Sequence, residues 1–162
     1  MFRVAVTILS LLFAISACTE VDPNQRQVFR ISAGDVSKIQ YRHLDAVNAV
    51  RQAQGLNPVQ LSSQLNAAAK THARDISRQN RPWHFGSDGS NPIQRVERAG
   101  YQGRMLSENI SETFENDLET LDAWMRDPVT RAGILHPQAR GLGFSWHQDS
   151  NGKIWWVQIL GS

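Results

Sequence analysis

The chain of 162 residues predicts an α+β domain, with a sheet held between two helical layers. One observation comes from the C-terminus. Between Ile154 and Leu160 every residue except Gln158 is apolar. As a strand, this segment places Trp155, Val157 and Ile159 on one side and Ile154, Trp156 and Leu160 on the other. A strand apolar on both faces is covered on both faces. The second observation is that apolar residues between Tyr41 and Met125 recur mostly at helical spacing. With 41% hydrophobic and 20% charged residues, one domain of this length buries a core without staples.

The elements follow in order. Tyr41, Leu44, Val47 and Val50 recur every three residues and predict an amphipathic helix stopped at Gly55, with Asn57-Pro58 beyond it. On this helix His43 is expected at the surface. Leu61, Leu65, Ala69, His72, Ala73 and Ile76 trace a second helix, whose alanines permit close packing; His72 is expected to pack there and to find a hydrogen-bond partner. A polar loop follows from Asn80 to Asn91, containing Trp83-His84-Phe85 and the Asp88-Gly89 turn signal.

Asn91-Pro92 starts a third helix, because Asn caps and Pro suits the first helical position. Ile93, Val96 and Ala99 then face inward and Gly100 stops it. Met105 to Ile110 reads as a short strand. Phe114, Leu118, Leu121 and Met125 form another helical stripe. Glu112, Glu115 and Asp117 stand near its start and Arg126 at its end, as the helix dipole favours. Asp127-Pro128 closes it. Leu142, Phe144 and Trp146 alternate, and Asp149-Ser150-Asn151-Gly152 turns the chain into Ile154–Leu160, a C-terminal antiparallel hairpin. Trp124, Trp155 and Trp156 are expected in the core rather than in a ligand groove.

The N-terminus has its own pattern. Arg3 precedes an uncharged apolar run from Val4 to Ile15, too short to span a bilayer and suited to a signal-peptide core. The run ends in Ile15-Ser16-Ala17-Cys18, which resembles the lipobox of bacterial lipoproteins. That resemblance implies a signal peptide over residues 1–17, cleavage before Cys18 and lipidation of Cys18. Two or three acyl chains anchor stably where one is marginal. The alternative left open is an ordinary secretory signal cut nearby. Cys18 is the single cysteine, so no disulfide competes for it and no thiol remains for catalysis. Residues 18–34 form the lipidated N-terminus and a polar tether, and residues 35–162 the domain. Thr19, rather than an aspartate, points to the outer membrane where the organism has one.

Net charge is +2 and the charges are interspersed, so nucleic acid is not an expected partner. The sequence holds no Gly-x-Ser-x-Gly, no His-Glu-x-x-His and no phosphate-cradling glycine loop.

From Leu61 onward several motifs occur in order: Leu65-x3-Ala69-x2-His72-Ala73-x-Asp75, the loop residue His84, and Arg95 followed by Ala99-Gly100-Tyr101. Ser107-Glu108-Asn109-Ile110, Trp124-Met125-x-Asp127-Pro128, Arg131-Ala132-x-Ile134-Leu135 and Gly141-x-Gly143 complete the series. In this order and spacing the chain resembles the CAP superfamily (cysteine-rich secretory proteins, antigen 5 and pathogenesis-related proteins), in its bacterial, disulfide-free branch. The resemblance implies a three-layer α-β-α sandwich with a cleft. In the family that cleft holds two histidines and acidic residues, and in some members a divalent metal.

Carried over, the loop histidine falls on His84 and the glutamate on Glu108. The second histidine does not carry over, because Thr130 stands in its place. His136 is a possible substitute, with Asn109 and Arg131 as accessory cleft residues. His84 and Glu108 make two ligands where zinc wants three or four, and threonine binds such metals poorly. No cofactor is therefore expected, with zinc through His84 the one metal possibility retained, and no residue is assigned as catalytic. The expected function is a lipid-anchored, exported module on the periplasmic or cell-surface side of the envelope. It binds an envelope protein or small apolar ligand through a degenerate metal cleft. The alternative is a metal- or His/Glu-assisted hydrolase using His84 and Glu108.

Overall fold

The computed structural model describes residues 29–112 and 114–162. Cys18, Thr19, the expected signal peptide and most of the expected tether lie outside the described residues. A 3-10 turn at Ala33–Asp35 leads into α1 (Val36–Ala53), followed by β1 (Gln60–Leu61), α2 (Ser63–Gln79) and α3 (Pro92–Arg98). Then come β2 (Met105–Ser111), α4 (Asp117–Arg126), α5 (Pro128–Ile134), β3 (Gly141–Gln148) and β4 (Ile154–Gly161).

The four strands lie in the order β1-β3-β4-β2, with β1 parallel to β3 and the other pairs antiparallel. Ile154, Trp156 and Leu160 of β4 pack with Ile39 and Val47 of α1, Leu121 and Trp124 of α4 and Ile134 of α5. On the opposite face Trp155, Val157 and Ile159 pack with Leu65, Ala69, Ala73 and Ile76 of α2 and Val96 of α3. The fold is thus the expected three-layer α-β-α sandwich, with the two sides of β4 divided between two cores. Layer contact is close where side chains are absent. A Cβ on Gly143 would stand 2.3 Å from the backbone carbon and 2.4 Å from the carbonyl oxygen of Leu65, so α2 rests on bare β3 backbone.

Several sequence expectations are corrected. The buried face of α1 is Ile39, His43, Val47 and Arg51, spaced by four rather than three, and Tyr41 is 60% exposed. His43 is not at the surface. It is fully buried, stacked on Phe144 and bonded through Nε2 to Gln158 Oε1 at 2.7 Å. Arg51 is buried too, because main-chain oxygens take its donors. Its guanidinium reaches the carbonyls of Asn57, Ile134 and His136 at 2.9, 2.8 and 3.0 Å, with Ala139 O farther off at 3.5 Å.

Leu61 belongs to β1 rather than to the second helix, which Ser62 caps by accepting from Leu65 N. Asn91 caps α3 in a reciprocal box with Gln94, but Ile93 points to solvent at 54% exposure. Asn116 caps α4, leaving Phe114 outside it and Leu118 exposed, while Asp117 is buried and ion-paired with Arg42 of α1. Asp127 does end α4. It also caps α5, an unanticipated helix, by accepting from the amides of Val129 and Thr130.

Residues 29–31 run beside the β3–β4 hairpin. Gln148 Nε2 donates to Phe29 O at 2.7 Å, Arg30 Nη1 donates to Asp149 O at 2.7 Å, and Ile31 N donates to Gln148 Oε1 at 3.0 Å. Among the described residues no helix is long and apolar enough to cross a membrane.

Candidate functional site

Glu108 lies mid-strand in β2, opposite Ile159, on the face covered by α2. Its side chain is 1% exposed, a costly position for a carboxylate without partners. Arg95 of α3 supplies the main one. Its Nη2 donates to both carboxylate oxygens, at 2.9 and 2.8 Å, and its Nη1 donates to Ser90 O at 3.1 Å. The capping box fixes where α3 begins, and the fourth residue of that helix is then Arg95.

The loop between α2 and α3 brings His84, whose Nδ1 lies 2.9 Å from Glu108 Oε1 while its side chain is 56% exposed. Asp75 of α2 holds this loop, accepting from Ser87 N at 2.7 Å and Ser87 Oγ at 2.6 Å. Burial works against the Asp75 charge, but bonds from Ser87 and Arg78 outweigh it and hold its pKa below the usual range. Trp83 is fixed by its indole, which donates to Gln79 Oε1 at 2.9 Å.

His72 closes the group from below. Its Nε2 sits 3.7 Å from Glu108 Oε1 but bonds Trp83 O at 2.9 Å, which places the ring proton on Nε2. Its Nδ1 is buried without a partner. Desolvation lowers the His72 pKa, opposed by nearby Glu108 and assisted by Arg95. The imidazole is therefore neutral at pH 7.

A cleft of about 470 Å³ opens beside this cluster. Its floor is Leu106 to Ile110 of β2, one wall is Pro82 and His84, and the other is α5 with His136 just beyond it. Of the residues read from the sequence, His84 and Glu108 meet directly, and Asn109, Thr130 and His136 line the same cleft. Arg131 does not line it; its charge lies near Asp127 at the start of α5. The Thr130 hydroxyl is turned back, donating to Trp124 O at 2.7 Å, and Asn109 Nδ2 donates to Thr130 O at 3.2 Å. His136 Nδ1 accepts from Gln138 N at 3.2 Å.

The residues present do not fit a divalent metal. Both oxygens of Glu108 already receive a fixed cationic donor, and the Thr130 hydroxyl is committed elsewhere. Among the described residues no three His, Cys, Asp or Glu side chains converge as a metal site. Sequence reasoning missed Arg95 as the partner of Glu108. It appeared only as a motif residue, 13 positions earlier, and nothing in the spacing tells where α3 points. The approach of His72 to Glu108 was missed for the same reason.

Residues 44–160 match the model of the cysteine-rich secretory protein family, CAP. The chain belongs to the CAP family. Among its CAP relatives is the uncharacterized protein YkwD of Bacillus subtilis (strain 168), 28% identical over 126 residues that make up 78% of this chain. The match covers 48% of that relative, so the chain spans about half of YkwD's length. An outer surface protein of Borrelia burgdorferi superposes with a TM-score of 0.71 at 17% identity, covering 83% of this chain and 97% of that one. An extracellular protein containing an SCP domain, from Bacillus anthracis, gives 0.71 at 18% identity over 82% of this chain and 44% of its own. At such identities these two structures bear on the fold alone.

Proposed function

We propose that this CAP protein is an exported, non-catalytic binding module, lipidated on Cys18 and held at the envelope membrane, that takes a partner or ligand in its cleft. The observation that carries this reading is the state of Glu108. A carboxylate bonded at both oxygens by a buried guanidinium is a poor general base and a poor metal ligand. What remains at the cleft is a shaped surface of mixed polar and apolar residues suited to recognition. The outer-surface and extracellular descriptions of the two solved CAP proteins favour export. Calorimetric titration of zinc into the wild type and His84→Ala tests the cleft, with no cleft-dependent heat expected in either. Heat that disappears in His84→Ala would overturn the degenerate-cleft reading. Cys18→Ala tests the anchor and should release the protein from the membrane fraction.

One observation favours a hydrolase instead: His84, largely solvent-facing, contacts Glu108 at 2.9 Å on the cleft wall. That reading requires hydrolysis of a peptide, ester or lipid substrate that is lost in Glu108→Gln and in His84→Ala.

A further inference from the structure

We infer that the cleft receives an extended peptide, which adds as a strand to the outer edge of β2. β2 is last in the sheet order, so β4 pairs only one of its edges. In an antiparallel pair, successive residues aim their N–H and C=O groups alternately at the partner and away from it. Gly161 faces β3, since its carbonyl accepts from Arg140 N at 2.8 Å. Leu160 and Gln158 then face β2, where they stand opposite Ser107 and Asn109. That leaves Glu108 and Ile110 facing outward. A separate contact agrees: the Ile110 carbonyl accepts from Trp124 Nε1 of α4 at 3.3 Å, a donor that lies outside the sheet.

The outward N–H and C=O of Glu108 have no such partner among the described residues, and Glu108 is part of the cleft floor. A main-chain pair of this kind, recessed from bulk water, calls for a matching donor and acceptor. A second backbone in extended form offers both at the required spacing.

The surroundings define the occupant further. Five consecutive floor residues span roughly 16 Å of strand. Pairing stops at Ile110, where Trp124 holds the carbonyl, and the register irregularity between Met105 and Ser107 bounds the other end. The segment admitted is therefore short and centred on Glu108. Its side chains would alternate between the His84 wall and the Val129 wall. Because Arg95 neutralises Glu108, the floor suits an uncharged backbone rather than a free ion. His84 and Val129 flank the place that such a strand would take, one on each side of the edge.

This inference rests on the binding reading above. The test selects heptapeptides from a random displayed library on the full-length protein, then titrates the selected peptide, made synthetically, into the wild type and Val129→Trp. Val129 is 80% exposed, so a bulky residue there obstructs the cleft without entering the core. The expected result is binding at least tenfold weaker to Val129→Trp. N-methylation of single peptide amides should weaken binding about five- to tenfold at alternate positions only. Amide exchange at Glu108 N–H should slow in the complex. Selection of no peptide overturns the inference. Binding weakened by Val129→Trp but indifferent to N-methyl position overturns strand addition and leaves the cleft reading standing. Equal binding to both proteins counts against both. A dimer that occludes Glu108 N–H without peptide would assign the edge to a second copy and overturn the inference.

Discussion

The imidazole of His43 lies flat on the ring of Phe144, with centroids 3.5 Å apart and planes 3° from parallel. This buried pair joins α1 to the centre of the sheet. Desolvation lowers the His43 pKa to about 4 from 6.5, only partly offset by its bond to Gln158. The unfolded chain therefore binds a proton that the folded chain refuses. Stability is full above pH 6.5 and falls as pH drops from 6.5 towards 4, by an amount on the order of 3 kcal/mol. Buried neutral His72, also lowered, acts in the same direction. Urea midpoints measured across this range should decline in the wild type and decline less in His43→Gln, which retains a side-chain hydrogen bond for Gln158. An equally steep decline in His43→Gln would remove His43 from the account.

Arg95 and Glu108 are almost wholly buried together. Removing one partner strands the other charge, so Arg95→Met should cost about 3–5 kcal/mol. Arg95→Met combined with Glu108→Gln should recover most of that loss. Denaturant unfolding of the single and double variants gives the coupling, and strict additivity would mean that the pair does not act as a unit.

Thr130→His places an imidazole where the family resemblance in the sequence leads to the expectation of a second histidine. It should not create a zinc site, because Arg95 still occupies both oxygens of Glu108. Loss of the hydroxyl bond to Trp124 O should also lower stability by about 1 kcal/mol. Calorimetry with zinc on Thr130→His, alone and with Arg95→Met, separates the missing ligand from the competing guanidinium. Tight binding by Thr130→His alone would show that Arg95 is no obstacle.

Gly143→Ala places a methyl against the Leu65 backbone, which has no rotamer to yield. A loss of about 3 kcal/mol is expected, at the upper end for overpacking. Gly89→Ala is a useful contrast: its added Cβ meets nothing within 4 Å, and the cost there comes from a φ of +78° alone. Thermal melts of the two should differ in favour of Gly89→Ala.

Most of the layering was legible because it is written in short-range pattern. The two-sided apolar run of β4 required cover on both faces, and Asn91-Pro92 marked a helix start by local chemistry. The face of α1 was misread because its buried set includes His43 and Arg51. Polar residues enter a core only where distant partners satisfy them, here Gln158 and a group of main-chain carbonyls. α5 has only 7 residues, fewer than two helical repeats, so no period could reveal it. At the site, His84 and Glu108 came from motif resemblance. Their controlling neighbour, Arg95, depends on how α3 crosses the sheet, which local sequence does not state.

Arg51 has a consequence for how the domain is assembled. Its donors are satisfied by oxygens both near and far in sequence, with Asn57 six residues on and Ile134 and His136 more than 80 positions away. Until that later segment arrives, the guanidinium cannot leave water without a large penalty, and the inner face of α1 cannot settle on the sheet. The domain therefore has no half that matures ahead of the other, and a chain stalled or clipped before Ile134 keeps α1 exposed to proteases and chaperones.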